Sequence, residues 1–186
     1  MFTRHACRIG RRGATQAAAL AALACAGCAA PPVQPPATRE SLQRLAAAAR
    51  TDIWGRGAPL GSLLAARAVL YFFRTDCEFC ATDLAKARAL AAKPSSPALV
   101  LVSREGSARL RAALGRRRPA HLVVLSDSDG ALMDTALVTR FVPRVVAVAG
   151  FRVLLDRTGR GGPGLEGALA LAARARSQGR GRGPAR

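Results

Sequence analysis

Aromatic side chains are scarce: 4% of the 186 residues, with one Trp and one Tyr. The apolar share is 50%, but much of it is Ala, which carries little burial energy per residue. The expected core is therefore small and mostly aliphatic. Long apolar runs are also missing from the body of the chain, which excludes a polytopic membrane protein. The 5 Cys are too few for a disulfide-dense scaffold, and the number is odd. Acids are few as well, 11 against 29 basic residues, so the net charge is +18. Such a surplus invites a nucleic-acid reading. Two features count against it. Nearly all the cations are Arg, in a chain rich in Ala, Gly and Pro, which is the mark of a GC-rich coding bias. About half of the surplus also lies in residues 1–27 and 174–186, which carry Arg and no acid. No nucleic-acid partner is expected.

The N-terminus has the layout of an export signal. Arg4, Arg8, Arg11 and Arg12 precede an Ala/Leu run from Ala14 to Ala26. Ala26-Gly27-Cys28 then resembles a bacterial lipoprotein cleavage site, in which the Cys becomes the first residue and carries the lipid. Cys25 departs from that pattern, which prefers Leu three before the lipidated Cys. Residues 1–27 are thus expected to be a lipoprotein-type signal peptide. Residues 28–37 form a Pro-rich tether, residues 38–176 the domain, and residues 177–186 a disordered basic tail. Cleavage before Cys28 would leave the domain two thiols, Cys77 and Cys80.

Along the domain, Thr38–Arg50 has Leu42 and Leu45 at helical spacing, and residues 51–61 read as a Gly-rich loop around Trp54, a packing anchor. Ala68–Phe73 is a continuous apolar run, the pattern of a strand buried on both faces. Then come a helix over Asp76–Ala92, a strand over Ala98–Val102, a helix over Gly106–Arg116 and a strand over His121–Ser126. After the turn Asp127–Gly130 a short helix covers Ala131–Val138. Strands Arg144–Ala149 and Phe151–Asp156 flank Gly150 as a hairpin, and Gly164–Arg176 is a final helix. This alternation predicts an α/β, three-layer sandwich with a mixed central sheet. Arg116–Arg118 reads as a solvated basic loop, and His121 is given no role.

Cys77-Glu78-Phe79-Cys80 sits where a buried strand hands over to a helix. A helix N-terminus presents free N–H groups and positive potential, and both stabilise a thiolate. Cys77 would be exposed and nucleophilic; Cys80, one turn in, would resolve the mixed disulfide. Other uses of the motif lack their partners. Zinc needs four ligands, haem attachment needs His after the second Cys, where residue 81 is Ala, and a copper-delivery site wants a wider Cys spacing and a distant His. A purely structural disulfide stays open, although so short a loop stabilises little. No metal or organic cofactor is expected.

Val69–Phe73, Cys77–Cys80 and Phe141-Val142-Pro143 together resemble the thioredoxin superfamily, in particular its exported, membrane-tethered TlpA-type thiol–disulfide oxidoreductases. The likeness spans about residues 55–175. It implies that Pro143 is cis and lies against the CxxC, with Val142 pairing with the substrate chain. An ordinary trans Pro at a strand start is the alternative. Ser126–Gly130 also resembles the family's segment before that Pro. Asp76 stands where the family has Trp, and Tyr71 lies on the strand where many members bury an acid, so the proton-relay group is unassigned. Asp76, Glu78 and Phe79 would tune the couple. Two carboxylates beside Cys77 disfavour its thiolate and favour a reductase or isomerase over an oxidant.

The expectation is an exported thiol–disulfide oxidoreductase of the periplasm or another extracytoplasmic space, held to the membrane through Cys28. Its partners would be protein thiol or disulfide substrates and a membrane reductant of thiols. The family suggests substrates such as apocytochrome c thiols or a secretion or conjugation apparatus. The rival reading is a non-catalytic envelope or assembly module with a vestigial CxxC.

Overall fold

The computed structural model describes residues 34–159 and 164–175. The expected signal peptide, the expected acylation at Cys28 and the basic tail 177–186 lie outside the described residues. Among the described residues no helix is long and apolar enough to cross a membrane.

Helix α1 (Arg39–Ala47) starts at Thr38, whose side chain accepts from Ser41 N while Ser41 returns the bond to Thr38 N, and it buries Leu42 and Leu45. The expected loop over 51–61 is more ordered than its composition suggests. Strands β1 (Arg50–Thr51) and β2 (Gly57–Ala58) pair antiparallel around Asp52, whose carboxylate accepts from Trp54 N and Arg56 N, both at 2.9 Å. Helix α2 (Leu60–Ala66) follows directly. Gly61 and Ser62 hide it in the sequence, while Leu60 and Leu64, one turn apart, bury its inner face.

The main sheet has the order β5-β4-β3-β6-β7. At its centre β3 (Arg67–Phe72) pairs parallel with β4 (Ala98–Ser103) and antiparallel with β6 (Arg144–Ala149). Strand β5 (Leu122–Ser126) lies parallel beside β4, and β7 (Arg152–Thr158) closes the hairpin on β6. Gly150 and Phe151 turn that hairpin with φ of 59° and 58°, the left-handed pair a two-residue connection demands. Ile53 N donates to Val124 O at 2.9 Å and so occupies part of the outer edge of β5. The opposite edge, β7, carries the exposed Arg152 and Arg157.

Alternate residues of the strands face opposite layers. Leu70, Phe72, Val100 and Val146 pack under α1 and α2. Val69, Tyr71, Leu101 and Val145 pack under α3 (Glu78–Ala91), α4 (Ser107–Leu114) and α5 (Leu165–Arg174). This is the expected three-layer α/β sandwich with a mixed sheet. The segment Ala131–Ala136 is a π-helical turn, shorter than the helix expected there. Its free N-terminal amides Leu132 N and Met133 N donate to the buried Asp127 carboxylate at 2.9 and 2.8 Å.

Two further expectations need correction. Gln34–Ala37, read as the end of the tether, lie against the domain. The Gln34 side chain accepts from Arg140 N at 2.8 Å and from Phe141 N at 3.3 Å, Pro35 O accepts from Arg144 Nη2 at 2.9 Å, and Ala37 N donates to Asp156 Oδ2 at 2.6 Å. Arg118, read as part of a solvated run, is only partly exposed. It donates to Leu122 O at 2.7 Å and pairs with the buried Asp52 at 3.2 Å, tying the β1–β2 ribbon to the start of β5.

Candidate active site

Strand β3 is buried along Ala68–Phe72 because it has paired neighbours on both edges and helices on both faces. It delivers Phe73, whose N donates to Val102 O at 3.0 Å, and the chain then leaves the sheet through Arg74-Thr75-Asp76. Cys77 is the N-cap of α3, with φ −83° and ψ 109°. Its Sγ accepts from Cys80 N at 3.2 Å, in the place that Ser or Asp oxygen takes at other helix starts. The two sulfurs are bonded, with a Cα–Cα separation of 5.2 Å, inside the range a disulfide spans. Cys77 is half-buried and Cys80 is fully buried, the asymmetry a nucleophile and a resolving thiol need. Phe79, between them, is 44% exposed.

The residues expected to tune the couple are not equivalent. Glu78 is exposed at the first turn of α3. Asp76 is held by a forked ion pair, with Arg74 Nε and Nη2 donating at 2.9 and 2.6 Å. That guanidinium keeps the Asp76 carboxyl below the usual carboxylate range. Asp76 is thus ionised and carries its own counter-charge in Arg74. The two carboxylates therefore differ: Asp76 is paired with Arg74, whereas among the described residues Glu78 is in no ion pair.

Pro143 comes to the same end of the sheet. The register pairs Phe72 with Arg144, so the residue before Arg144 lies beside the point where β3 gives way to the cysteine loop. The Val142–Pro143 peptide is cis. Val142 and Asp76 line one cleft of about 590 Å³, and Phe141 beside it is 44% exposed. Val142, Pro143 and the CxxC are therefore brought to one face.

Several residues of this face were not singled out in the sequence. Glu105 accepts from Thr75 N at 2.9 Å and from Thr75 Oγ1 at 2.6 Å, so it fixes the loop before Cys77 from 30 residues away. Arg109 bridges Thr75 Oγ1 and Glu105. Arg144 is fully buried. It forks onto Asp156 at 2.9 and 2.8 Å and donates to Leu137 O, Thr139 Oγ1 and Pro35 O, which braces the stretch before Pro143. Tyr71, on the strand where the resemblance led one to look for an acid, donates its hydroxyl to Asp83 Oδ2 at 3.1 Å. Burial first, and then Asp83, push the Tyr71 hydroxyl far above its ordinary value, so it stays protonated. The only local sequence signal for this acid is its place one turn after Cys80. Among the described residues no group of three or more His, Cys, Asp or Glu is placed to hold a metal ion.

This sheet order, with a CxxC at the start of α3 and a cis-Pro opening β6, is the thioredoxin fold. Solved structures of that kind superpose on the chain. A secreted disulfide oxidoreductase of Mycobacterium tuberculosis, homologous to Escherichia coli DsbE, matches with a TM-score of 0.54 at 19% identity, over 73% of this chain and 98% of that one. M. tuberculosis DsbF gives a TM-score of 0.58 at 19% identity, over 73% and 99%. An exposed lipoprotein thioredoxin of Streptococcus pneumoniae gives 0.54 at 17%, over 69% and 98%. A peroxiredoxin Q of Xanthomonas campestris shares the fold equally well, with a TM-score of 0.54 at 17% identity over 77% and 96%. No family profile matches the sequence. No curated protein is a significant relative.

Proposed function

We propose that this chain is a thiol–disulfide oxidoreductase of the TlpA type, working outside the cytoplasm on protein disulfides. The observation that carries the reading is the Cys77–Cys80 pair itself, with one sulfur half-exposed at the tip of a helix, the other buried a turn inside, and a cis-Pro on the same face. In the reduced protein the Cys77 thiolate attacks a client disulfide. One client sulfur leaves as a thiol and a mixed disulfide forms. Cys80 loses its proton and attacks Cys77 Sγ, which releases the second client sulfur and closes the internal disulfide. Two electrons and two protons pass to the client. A dithiol reductant, membrane-embedded in this reading, restores Cys77 and Cys80. Backbone edges of Val142 beside Pro143 would pair with the client chain.

The reducing or isomerising direction rests on Glu78, whose exposed charge opposes the thiolate. The oxidoreductases and the lipoprotein thioredoxin among the structural neighbours support the activity and the extracytoplasmic setting. The export signal and Cys28 acylation rest on the N-terminal sequence.

The test is catalysed reduction of insulin or a model disulfide. Cys77→Ser is expected to abolish it, and Cys80→Ser to accumulate mixed disulfides with clients. Normal turnover by Cys77→Ser makes the CxxC vestigial and favours the assembly-module reading. A couple above about −150 mV assigns the protein to the oxidants.

A further inference from the structure

The cleft that joins Asp76 to Val142 is also lined by four arginines: Arg74, Arg104, Arg109 and Arg140. Its acids are already engaged. Asp76 is forked by Arg74, Asp134 is paired with Arg104, and Glu105 receives Thr75, Ser103 and Arg109. Each guanidinium has five N–H donors in a plane and no acceptor. Arg109 uses Nε on Thr75 and Glu105, which leaves its two terminal nitrogens for another group. Arg140 is exposed, and among the described residues no carboxylate pairs with its guanidinium. The cleft thus has a surplus of donors and one cation beyond its anions. It is concave and includes Asp76, the residue before Cys77, so a ligand there would be part of the chain whose disulfide is being exchanged.

We propose that this cleft recognises an acidic segment of the client protein, next to the client's reactive Cys, with Arg140 and Arg109 as specificity residues. The proposal rests on the thiol-exchange reading above and names its substrate class. Arg140 offers a bidentate fork to an incoming Asp or Glu, and the terminal nitrogens of Arg109 take a second carboxylate or a client carbonyl. The concave shape, about 590 Å³ in volume, suits a few side chains of a peptide better than the flat face of a bilayer.

The experiment uses the full-length protein and two peptides of equal length, identical except that Asp and Glu in one replace Asn and Gln in the other around the Cys position. Each peptide is made in two forms, one with Ser in place of Cys for binding and one as a mixed disulfide for exchange. The acidic peptide is expected to bind about tenfold more tightly and to exchange with about tenfold higher kcat/KM, and the preference should shrink with added salt. Arg140→Glu should remove the preference. Arg157→Glu, which makes the same charge change on the distant edge strand, should keep it. Equal binding of the two peptides overturns the proposal. So does a preference that survives Arg140→Glu combined with Arg109→Ala, or one that Arg157→Glu also removes. Arg140-dependent binding to vesicles rich in anionic lipid, with no peptide preference, assigns the cleft to the membrane and overturns it too. Failure of wild-type protein to react with a small neutral disulfide sinks the exchange reading instead, and the Ser-peptide binding ratio still decides the fate of the cleft.

Discussion

At the scale of single residues, the chemistry next to Cys77 is set by a pair that cancels itself. Asp76 alone would raise the Cys77 thiol and make the couple more reducing, and Arg74 alone would do the reverse. Replacing Arg74 by Ala is therefore expected to move the potential to more negative values, and Asp76→Asn to less negative ones. Each shift should be on the order of 10–20 mV, because both groups face solvent, and redox titration reads it. The same pair has a pH signature. The Arg74 guanidinium holds the Asp76 carboxyl below the ordinary Asp range, and Arg74→Ala should raise it in an NMR titration. Since the folded carboxyl is the more acidic, its contribution to stability is present above the unfolded value and fades as pH falls through the folded one. Arg144 acts differently because it is buried. Arg144→Met leaves Asp156 without its cation, with only Ala37 N still donating to it, and takes the Arg144 donor from the Leu137 and Pro35 carbonyls; it is expected to cost about 3–5 kcal/mol in denaturant unfolding.

At the scale of elements, much of the architecture was legible. The strands β3, β4 and β5 are unbroken apolar runs between turn residues, and only fully covered strands read that way. The sequence pattern also marks the CxxC helix and the hairpin around Gly150 to within two residues of their limits. What escaped was set by distant partners. Helix α2 looks like loop because Gly61 and Ser62 interrupt it, and it is the sheet beneath Leu60 and Leu64 that holds it. The β1–β2 ribbon exists because Asp52 gathers Trp54 and Arg56 locally and meets Arg118 from 66 positions away, and no local pattern reports that last contact. The site divides in the same way. Cys77, Cys80 and Pro143 announce themselves by type and spacing. Glu105, Arg109 and Asp83 become visible only once the fold has brought them to their partners, while the Arg74–Asp76 pair, two residues apart, is local but carries no motif. One element-level prediction is purely conformational. A Cβ at Gly150 would meet no other atom, so Gly150→Ala should cost about 1–2 kcal/mol from its positive φ alone, measured as a lowered thermal midpoint.

At the scale of the whole molecule, the fold brings Asp76, the CxxC, Val142 and Pro143 to one end of the sheet and leaves the rest as support. Gln34–Ala37 fasten to the stretch before Pro143, so the domain begins four residues earlier than composition suggested. In the proposed lipoprotein, labelled fatty acid should be incorporated into wild-type protein and lost in Cys28→Ala, with the catalytic pair unaffected. The flanks of the sheet have a different consequence. An unpaired strand border is a template for other chains, and here one border is partly taken up by Ile53 while the other displays Arg152 and Arg157. Lateral stacking of copies is thereby discouraged, and concentrated solutions should scatter light as separate particles. Swapping both outer guanidinium groups for Val should seed fibrils.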